Sequence, residues 1–305
     1  MEQLDNTKSK IIRKNRKKGI NEQQNIAYLF IAVPLLLLLV FAIVPIVMAI
    51  FFSLTDYNIV EKPNFVGLDN FKKIFQDEFF FISLKNTAIY TFLYVPLGLI
   101  VSLAAAMLIN QRRKTVTLFR TFFYLPVLCS SVATATIWYW LLNPQYGLIN
   151  RILGIFGIDG PAWLFNSQWA MFAIVIMSVW MSFGGNMMIF LAGLQGIDDA
   201  LYEAADIEGA NRWQKFKSIT WPQLSKTTFL VTTQLIIGAF QVFDQAYMLT
   251  KGGPGNSTIT LVYYIYNEGF GGLKMGYASA LSFVLFLIIF AFSMVNMRVT
   301  NKETV

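Results

Sequence analysis

The chain has 305 residues, of which 56% are hydrophobic and only 13% charged; a soluble domain carries about 25% charged residues, so this composition is that of a membrane protein. It holds a single cysteine, Cys129, and no histidine, which excludes an internal disulfide framework, a His/Cys zinc site and any catalysis that uses histidine as base. The net charge of +7 suggests nucleic acid only until its distribution along the chain is considered.

Residues 1–25 are polar and basic, with Lys8, Lys10, Arg13, Lys14, Arg16, Lys17 and Lys18 close together, as in a solvated tail lying near anionic lipid. Ile26 to Leu54 is the first apolar run. It is too long for a signal-peptide core and has no small-residue cleavage site, so it is expected to remain in the membrane. Five further runs follow, near Asn86–Ile109, Phe119–Leu142, Trp169–Leu194, Thr228–Leu249 and Gly276–Met297. Each is long enough to supply the roughly 20 helical residues that cross about 30 Å of hydrocarbon. The expected fold is an all-α integral membrane protein with six transmembrane helices. Pro34, Pro45, Pro96 and Pro126 fall within or near these spans, where packed neighbours satisfy the carbonyls that proline frees.

Placing the N-terminus inside puts 17 of the 24 lysines and arginines on inside segments, the bias that orients membrane proteins. Both termini and the polar loop at 195–226 then face the cytoplasm, and the basic charge needs no nucleic acid. Outside lie Thr55–Lys85, rich in phenylalanine, then Asn143–Gln168 and Lys251–Met275. The last begins KGGPGNST but lacks the G-K-[ST] ending of a phosphate loop, so Gly252, Gly253, Pro254 and Gly255 read as a tight turn.

Polar residues inside spans are costly and mark functional candidates. The fifth run contains Gln234, Gln241, Asp244 and Gln245; the three glutamines, spaced by seven and four, are expected on one helical face, with Asp244 on the same side. Carboxylate and amide groups beside the rings of Phe240, Phe243 and Tyr247 suit a sugar, whose hydroxyls need donors and acceptors and whose faces stack on aromatics. The fourth run adds Ser178, Trp180, Ser182 and Asn186 near the flexible pair Gly184-Gly185. The plainer alternatives are that the serines bond backbone carbonyls or pack helix on helix, that Trp180 is packing, and that Asp244 pairs with a basic residue of an adjoining subunit.

Between the fourth and fifth runs, EAADIEGANRWQKFKSITWPQL (203–224) reads as helix, break, helix. Asp198 and Asp199 offer N-caps. Leu201, Ala204 and Ala205 make a small apolar face, and Gly209 suits a left-handed stop at a break where a side chain would clash. Asn211 caps a second short helix, with Trp213, Phe216 and Ile219 three apart, which Pro222 stops. On periodicity alone this is equally an amphipathic loop at the membrane surface; a helix-turn-helix DNA reader makes little sense wedged between spans.

Glu203-Ala204-Ala205, Gly209-Ala210, Phe216, Ile219 and Pro222 resemble the EAA signature of binding-protein-dependent ABC importer permeases of the maltose-transporter type. The likeness runs roughly from the first span to the last, and Thr250–Pro254, T-x-G-G-P in pattern, resembles the carbohydrate-permease subfamily. The resemblance implies a type I ABC importer permease fold, with a tail at 1–26, a first transmembrane helix at 27–54, an external loop at 55–85, a permease domain at 86–297 and a second tail at 298–305. It implies that the loop at 195–226 is a coupling helix seated in a cleft of an ATPase subunit. The partners it implies are an ABC ATPase dimer that holds the ATP and Mg, a second related permease chain, an extracytoplasmic solute-binding protein and a sugar cargo. No cofactor on this chain and no nucleic acid is expected. Polyols and glycerol phosphates are the alternative cargoes. A proton-coupled secondary transporter would need several buried ionisable groups and inverted repeats, and a membrane enzyme would need chemistry that a chain without histidine or clustered intramembrane carboxylates lacks.

Overall fold

The structure is a computed structural model that describes residue 28, residues 30–110 and residues 115–303. The basic tail at 1–26 and Arg112, Arg113 and Lys114 lie outside the described residues.

Lipid offers backbone N–H and C=O groups no partners, so apolar runs satisfy them internally as helices. Every regular element among the described residues is helical, and the β-pairing there is confined to an isolated bridge between Thr55 and Phe65. In chain order, α1 spans Phe30–Ser53 and α2 is a short external turn, Asp69–Ile74. Next come α3 (Glu78–Ile109), α4 (Thr115–Leu128), α5 (Ser131–Leu141) and α6 (Leu148–Ile155). After α7 (Ser167–Gln195) come α8 (Asp199–Ile207) and α9 (Arg212–Lys215). The chain then forms α10 (Ser225–Phe240), α11 (Asp244–Leu249), α12 (Leu261–Tyr266) and α13 (Met275–Glu303).

The centre is made by α3 lying along α7 with α10 across α3. Tyr90, Ile174, Met177, Met187, Phe190 and Val231 fill the space between them. A second apolar cluster, with Phe80, Phe240, Leu261 and Leu281, joins α13 to this centre. The first span, α1, packs on α13 and is otherwise exposed, as expected for a helix whose other neighbours are lipid tails. The chain is thus a multi-pass membrane protein.

The expected count of six spans is not confirmed. Among the described residues four helices, α1, α3, α7 and α13, are long and apolar enough to cross a membrane; α4 and α5 add a fifth only as a pair bent by 99°. In α4 the ring of Pro126 removes an amide that would bond the Phe122 carbonyl. The helix ends two residues later, and Ser130 takes an extended conformation (φ −60°, ψ 134°) at the N-cap of α5. The run expected at Thr228–Leu249 is divided as well. Its first part, α10, has 16 residues, about 24 Å at about 1.5 Å per residue, short of the roughly 30 Å of hydrocarbon. Gln241 leaves the helix at φ −99°, ψ 10°, and the Val242 carbonyl accepts the Thr260 hydroxyl at 2.8 Å. A partner from another segment therefore holds the break open.

At the end of the bundle opposite α8 and α9, side chains tie the loops to the spans. Asn86 Nδ2 donates to the carbonyls of Asn256 (2.8 Å) and Ile259 (3.0 Å), and Thr87 Oγ1 accepts the Leu261 amide at 2.8 Å. The turn read at Gly252–Gly255 is present, with Gly252 and Gly255 at φ +82° and +57°. Asp77 caps α3 through the Phe79 amide (2.9 Å), and its other oxygen accepts the hydroxyls of Tyr264 and of Tyr277 (2.5 Å). Burial pushes the Asp77 carboxyl up, but the two hydroxyls and the Phe79 and Phe80 amides outweigh it and hold the pKa below its ordinary 3.8. A depressed folded pKa means that the stabilisation is present above the ordinary value and is lost as pH falls through the lower one. Asp77→Asn is therefore expected to lower the thermal midpoint of the solubilised protein by about 2–4 °C at pH 7. The difference from wild type should shrink below about pH 3; a gap of the same size at both pH values would refute this role.

Candidate functional sites: an exposed elbow and an intramembrane cleft

The elbow is built from local capping chemistry. Asp198 stands extended at the N-cap of α8 and accepts the Ala200 amide at 3.0 Å. The helix stops where Gly209 turns to φ +75° and the Ala210 amide reaches back to the Ala205 carbonyl at 2.9 Å, a left-handed stop of the kind glycine favours. Asn211 and Gln214 then form a reciprocal capping box at 3.0 and 2.7 Å that starts α9. Lys215 forms an ion pair with Asp206 across the angle, and the Tyr202 and Thr220 hydroxyls meet at 2.9 Å. These contacts fix the angle between the two short helices without help from another chain.

Glu203, Ala204 and Gly209 are exposed, and Ala205 and Ala210 are half-buried; Phe216 and Ile219 pack on the central core. The most prominent apolar side chains are Ile207, 89% exposed, and Trp213, 69% exposed. Trp213 stacks on Phe216 with ring centroids 5.5 Å apart, while Ile207 was not singled out by the sequence pattern. The signal available for it was an isoleucine set between Asp206 and Glu208 with nothing apolar to cover it.

Two expectations about the elbow change. A Cβ at Gly209 would meet no atom within 4 Å, so no clash within this chain requires glycine there; the positive φ does. Pro222 does not stop the second helix. The chain widens into a π-helical turn at Phe216–Thr220, where the Trp221 amide bonds the Phe216 carbonyl, and Pro222 sits in the first turn that follows. A proline is tolerated in a first turn because its missing N–H is not needed there. The break comes at Leu224 (φ −80°, ψ 1°).

The cleft lies between α3, α7 and the broken strip around 241–245. It encloses 450 Å³ and is lined by Tyr90, Tyr94, Ser178, Ser182, Gln241, Asp244 and Gln245, with Phe243 beside them. Asp244 opens α11 immediately after one break, and Ser131 opens α5 immediately after the other; the Ser131 hydroxyl donates to Asp244 Oδ2 at 2.7 Å. The two discontinuous helices therefore meet at their breaks, leaving helix-end amides and carbonyls beside the cleft. Tyr94 donates to Ser182 Oγ at 2.9 Å, whereas Ser178 turns its hydroxyl to the Ile174 carbonyl at 2.8 Å, the plainer alternative for that residue.

Three expected residues stand apart from this lining. Because the helix breaks after Phe240, the seven-and-four spacing of the glutamines does not place them on one face, and exposed Gln234 on α10 is outside the cleft. Trp180 packs edge-on against Trp138, centroids 5.9 Å apart. Asn186 is buried within α7. The pair Gly184-Gly185 is no flexible joint, because α7 runs through it unbroken. A Cβ on Gly184 would strike the Phe123 carbonyl, so glycine there permits close approach of α4. The polar-residue pattern does not mark Tyr90 and Tyr94, although with Asn86 they stand four residues apart on one helical face of an apolar run.

Residues 94–300 match the family model of the binding-protein-dependent transport system inner membrane component. The arabinooligosaccharides transport system permease protein AraP of Halalkalibacterium halodurans is 35% identical over 284 residues, covering 92% of this chain and 89% of its own. The sn-glycerol-3-phosphate transport system permease protein UgpA of Pectobacterium atrosepticum is 32% identical over 278 residues, covering 90% and 94%. In fold, the chain is similar to one from the crystal structure of a bacterial alginate ABC transporter in complex with alginate pentasaccharide-bound periplasmic protein. The TM-score is 0.82 at 23% identity, covering 93% of this chain and 96% of that one. With a family match over most of its length, relatives that are permease subunits and the type I permease fold, the chain belongs to the inner-membrane component family of binding-protein-dependent transport systems, the permease subunits of ABC transporters.

Proposed function

We propose that this chain carries a neutral sugar or short oligosaccharide inward through the Asp244 cleft, driven by a partner ATPase seated on the elbow at 195–226. The observation that carries the coupling half is the exposure of Ile207 and Trp213 on a cap-locked elbow, an apolar knob on a polar segment that suits a groove in another protein. Glu203, Ala204, Ala205, Gly209 and Ala210 shape the knob, and Phe216, Ile219 and Pro222 join it to the spans. ATP and Mg belong to the partner, and this chain binds no cofactor of its own. One elbow serves one ATPase cleft, so an ATPase dimer calls for a second, related permease chain. An extracytoplasmic solute-binding protein delivers the cargo to the opposite face, with both termini of this chain in the cytoplasm.

The printed cargoes of the relatives include an oligosaccharide and a phosphate ester, and the cleft favours the first. Its lining contains aromatic rings, hydroxyls, amides and one carboxylate but no lysine or arginine, whereas a phosphate ester calls for a basic partner. A discontinuous pair of helices at a midplane site is the arrangement by which transporters present helix ends to a solute. Closure of the ATPase moves the stiff elbow, and the spans reorient about their breaks; ATP and the loaded binding protein shift this equilibrium through their differential affinity for its two states.

With Cys129 replaced by serine, a cysteine at Ile207 or Trp213 is expected to cross-link to a nucleotide-hydrolysing subunit in native membranes. Solute accumulation by the isolated chain in vesicles, with no such subunit present, would overturn the reading.

A further inference from the structure

A second cleft, of 540 Å³, opens at the ends of α3 and α7 opposite the elbow and shares no lining residue with the Asp244 cleft. One wall is apolar and turned outward: Ile89, Trp169 and Phe172 are 41%, 40% and 37% exposed. The other carries Lys85, Gln168 and Ser257. Lys85 precedes Ile109, the last residue of α3, by about 24 residues, roughly 36 Å at about 1.5 Å per residue. That exceeds the roughly 30 Å of hydrocarbon, so the ammonium stands at headgroup depth while Ile89 and Phe172 lie toward the acyl chains. Trp169 occupies the interfacial level where tryptophan is enriched.

Among the described residues, a cation and a buried hydroxyl of this cleft lack a partner. Among the described residues Lys85 makes no ion pair or hydrogen bond, and Ser257 Oγ is buried without a partner. The loop that bears Ser257 is held in place, since Asn86 donates to the neighbouring Asn256 carbonyl at 2.8 Å. The first turn of α7 adds the positive end of a long helix dipole. A cation, an unsatisfied hydroxyl and a helix N-terminus above an outward apolar wall match a phosphodiester with an acyl chain below it.

We infer that this cleft binds an anionic phospholipid, its phosphate between Lys85 Nζ and Ser257 Oγ and its chain over Ile89 and Phe172. One lipid then touches α3, α7 and the Asn86-anchored loop together, and so ties the outer ends of two spans to each other. This inference does not depend on the cargo or on the elbow.

The test uses the full-length chain, with its co-purified subunits, in bilayers containing brominated phosphatidylglycerol or brominated phosphatidylcholine. The Trp169 signal is isolated as the difference between wild type and Trp169→Phe. Phosphatidylglycerol is expected to quench Trp169 with about five-fold higher apparent affinity, the effect of one basic group at an anionic headgroup. Lys85→Gln should abolish that preference while quenching by both lipids persists, and Ser257→Ala should reduce it. Equal quenching by the two lipids in wild type would mean an unselective apolar groove and overturn the inference. Absence of quenching by either would mean that a protein chain covers the cleft, and would also overturn it. A preference unchanged in Lys85→Gln would do the same.

Discussion

A Gly209→Val chain is expected to assemble with its partners yet lose substrate-stimulated ATPase activity and uptake by about ten-fold or more. Gly209 holds φ +75° at the join between α8 and the Asn211 cap. An L-residue in left-handed space costs roughly 1–2 kcal/mol, and β-branching makes the position worse. The backbone escapes by rotating out of that region, which changes the angle between Ile207 and Trp213. About 1.4 kcal/mol is a factor of ten, so a modest strain at this joint is enough to misplace the knob. A Cβ at this position meets no atom within 4 Å, so the substitution tests the φ penalty and not a Cβ clash. Gly209→Ala, with the same φ penalty but no branch, should fall between. The measurement is ATPase activity of the assembled complex with and without cargo, alongside co-purification of the partners; unchanged stimulation and uptake would refute the role.

Asp244→Asn should lower transport by about ten-fold without reducing the amount of assembled complex. A hydrogen bond to a charged group contributes about 1.5–3 kcal/mol. Asparagine keeps the shape and can still accept from Ser131, whose hydroxyl lies 2.7 Å from the carboxylate, but it removes the charge from the cleft. If Asp244 contacts sugar hydroxyls, the loss falls on uptake. If it merely fastens one break to the other, Ser131→Ala should cause the same loss. Separate effects of the two variants, with Asp244→Asn the more severe, are expected. Normal uptake by Asp244→Asn across a range of neutral solutes would retire it as a lining residue.

Much of the elbow was legible because its causes are local. Asp198, Gly209 and Asn211 act within a few residues of themselves, so capping rules placed the start, stop and restart where the structure has them. What those rules did not reach was exposure. Ile207 and Trp213 protrude because Phe216, Ile219 and Tyr202 are drawn down onto the core, and that choice belongs to packing. The rule that proline ends a helix fails at Pro222 for a related reason: the π-helical turn before it accommodates a ring that an ordinary helix interior would reject.

By itself the sequence determined that the chain is helical and membrane-embedded, since long apolar runs in lipid have no other way to satisfy their backbone. It also determined where the capped elbow lies. Only the tertiary structure decided which apolar runs stay straight. The break near Gln241 depends on a hydroxyl from Thr260, and the cleft forms where that break meets the one before Ser131. Hydrophobicity is summed along a segment, whereas a break is held by whatever group comes to face it from elsewhere in the chain. That is why spacing groups Gln234 with Gln241 and Gln245, and why the fold separates them.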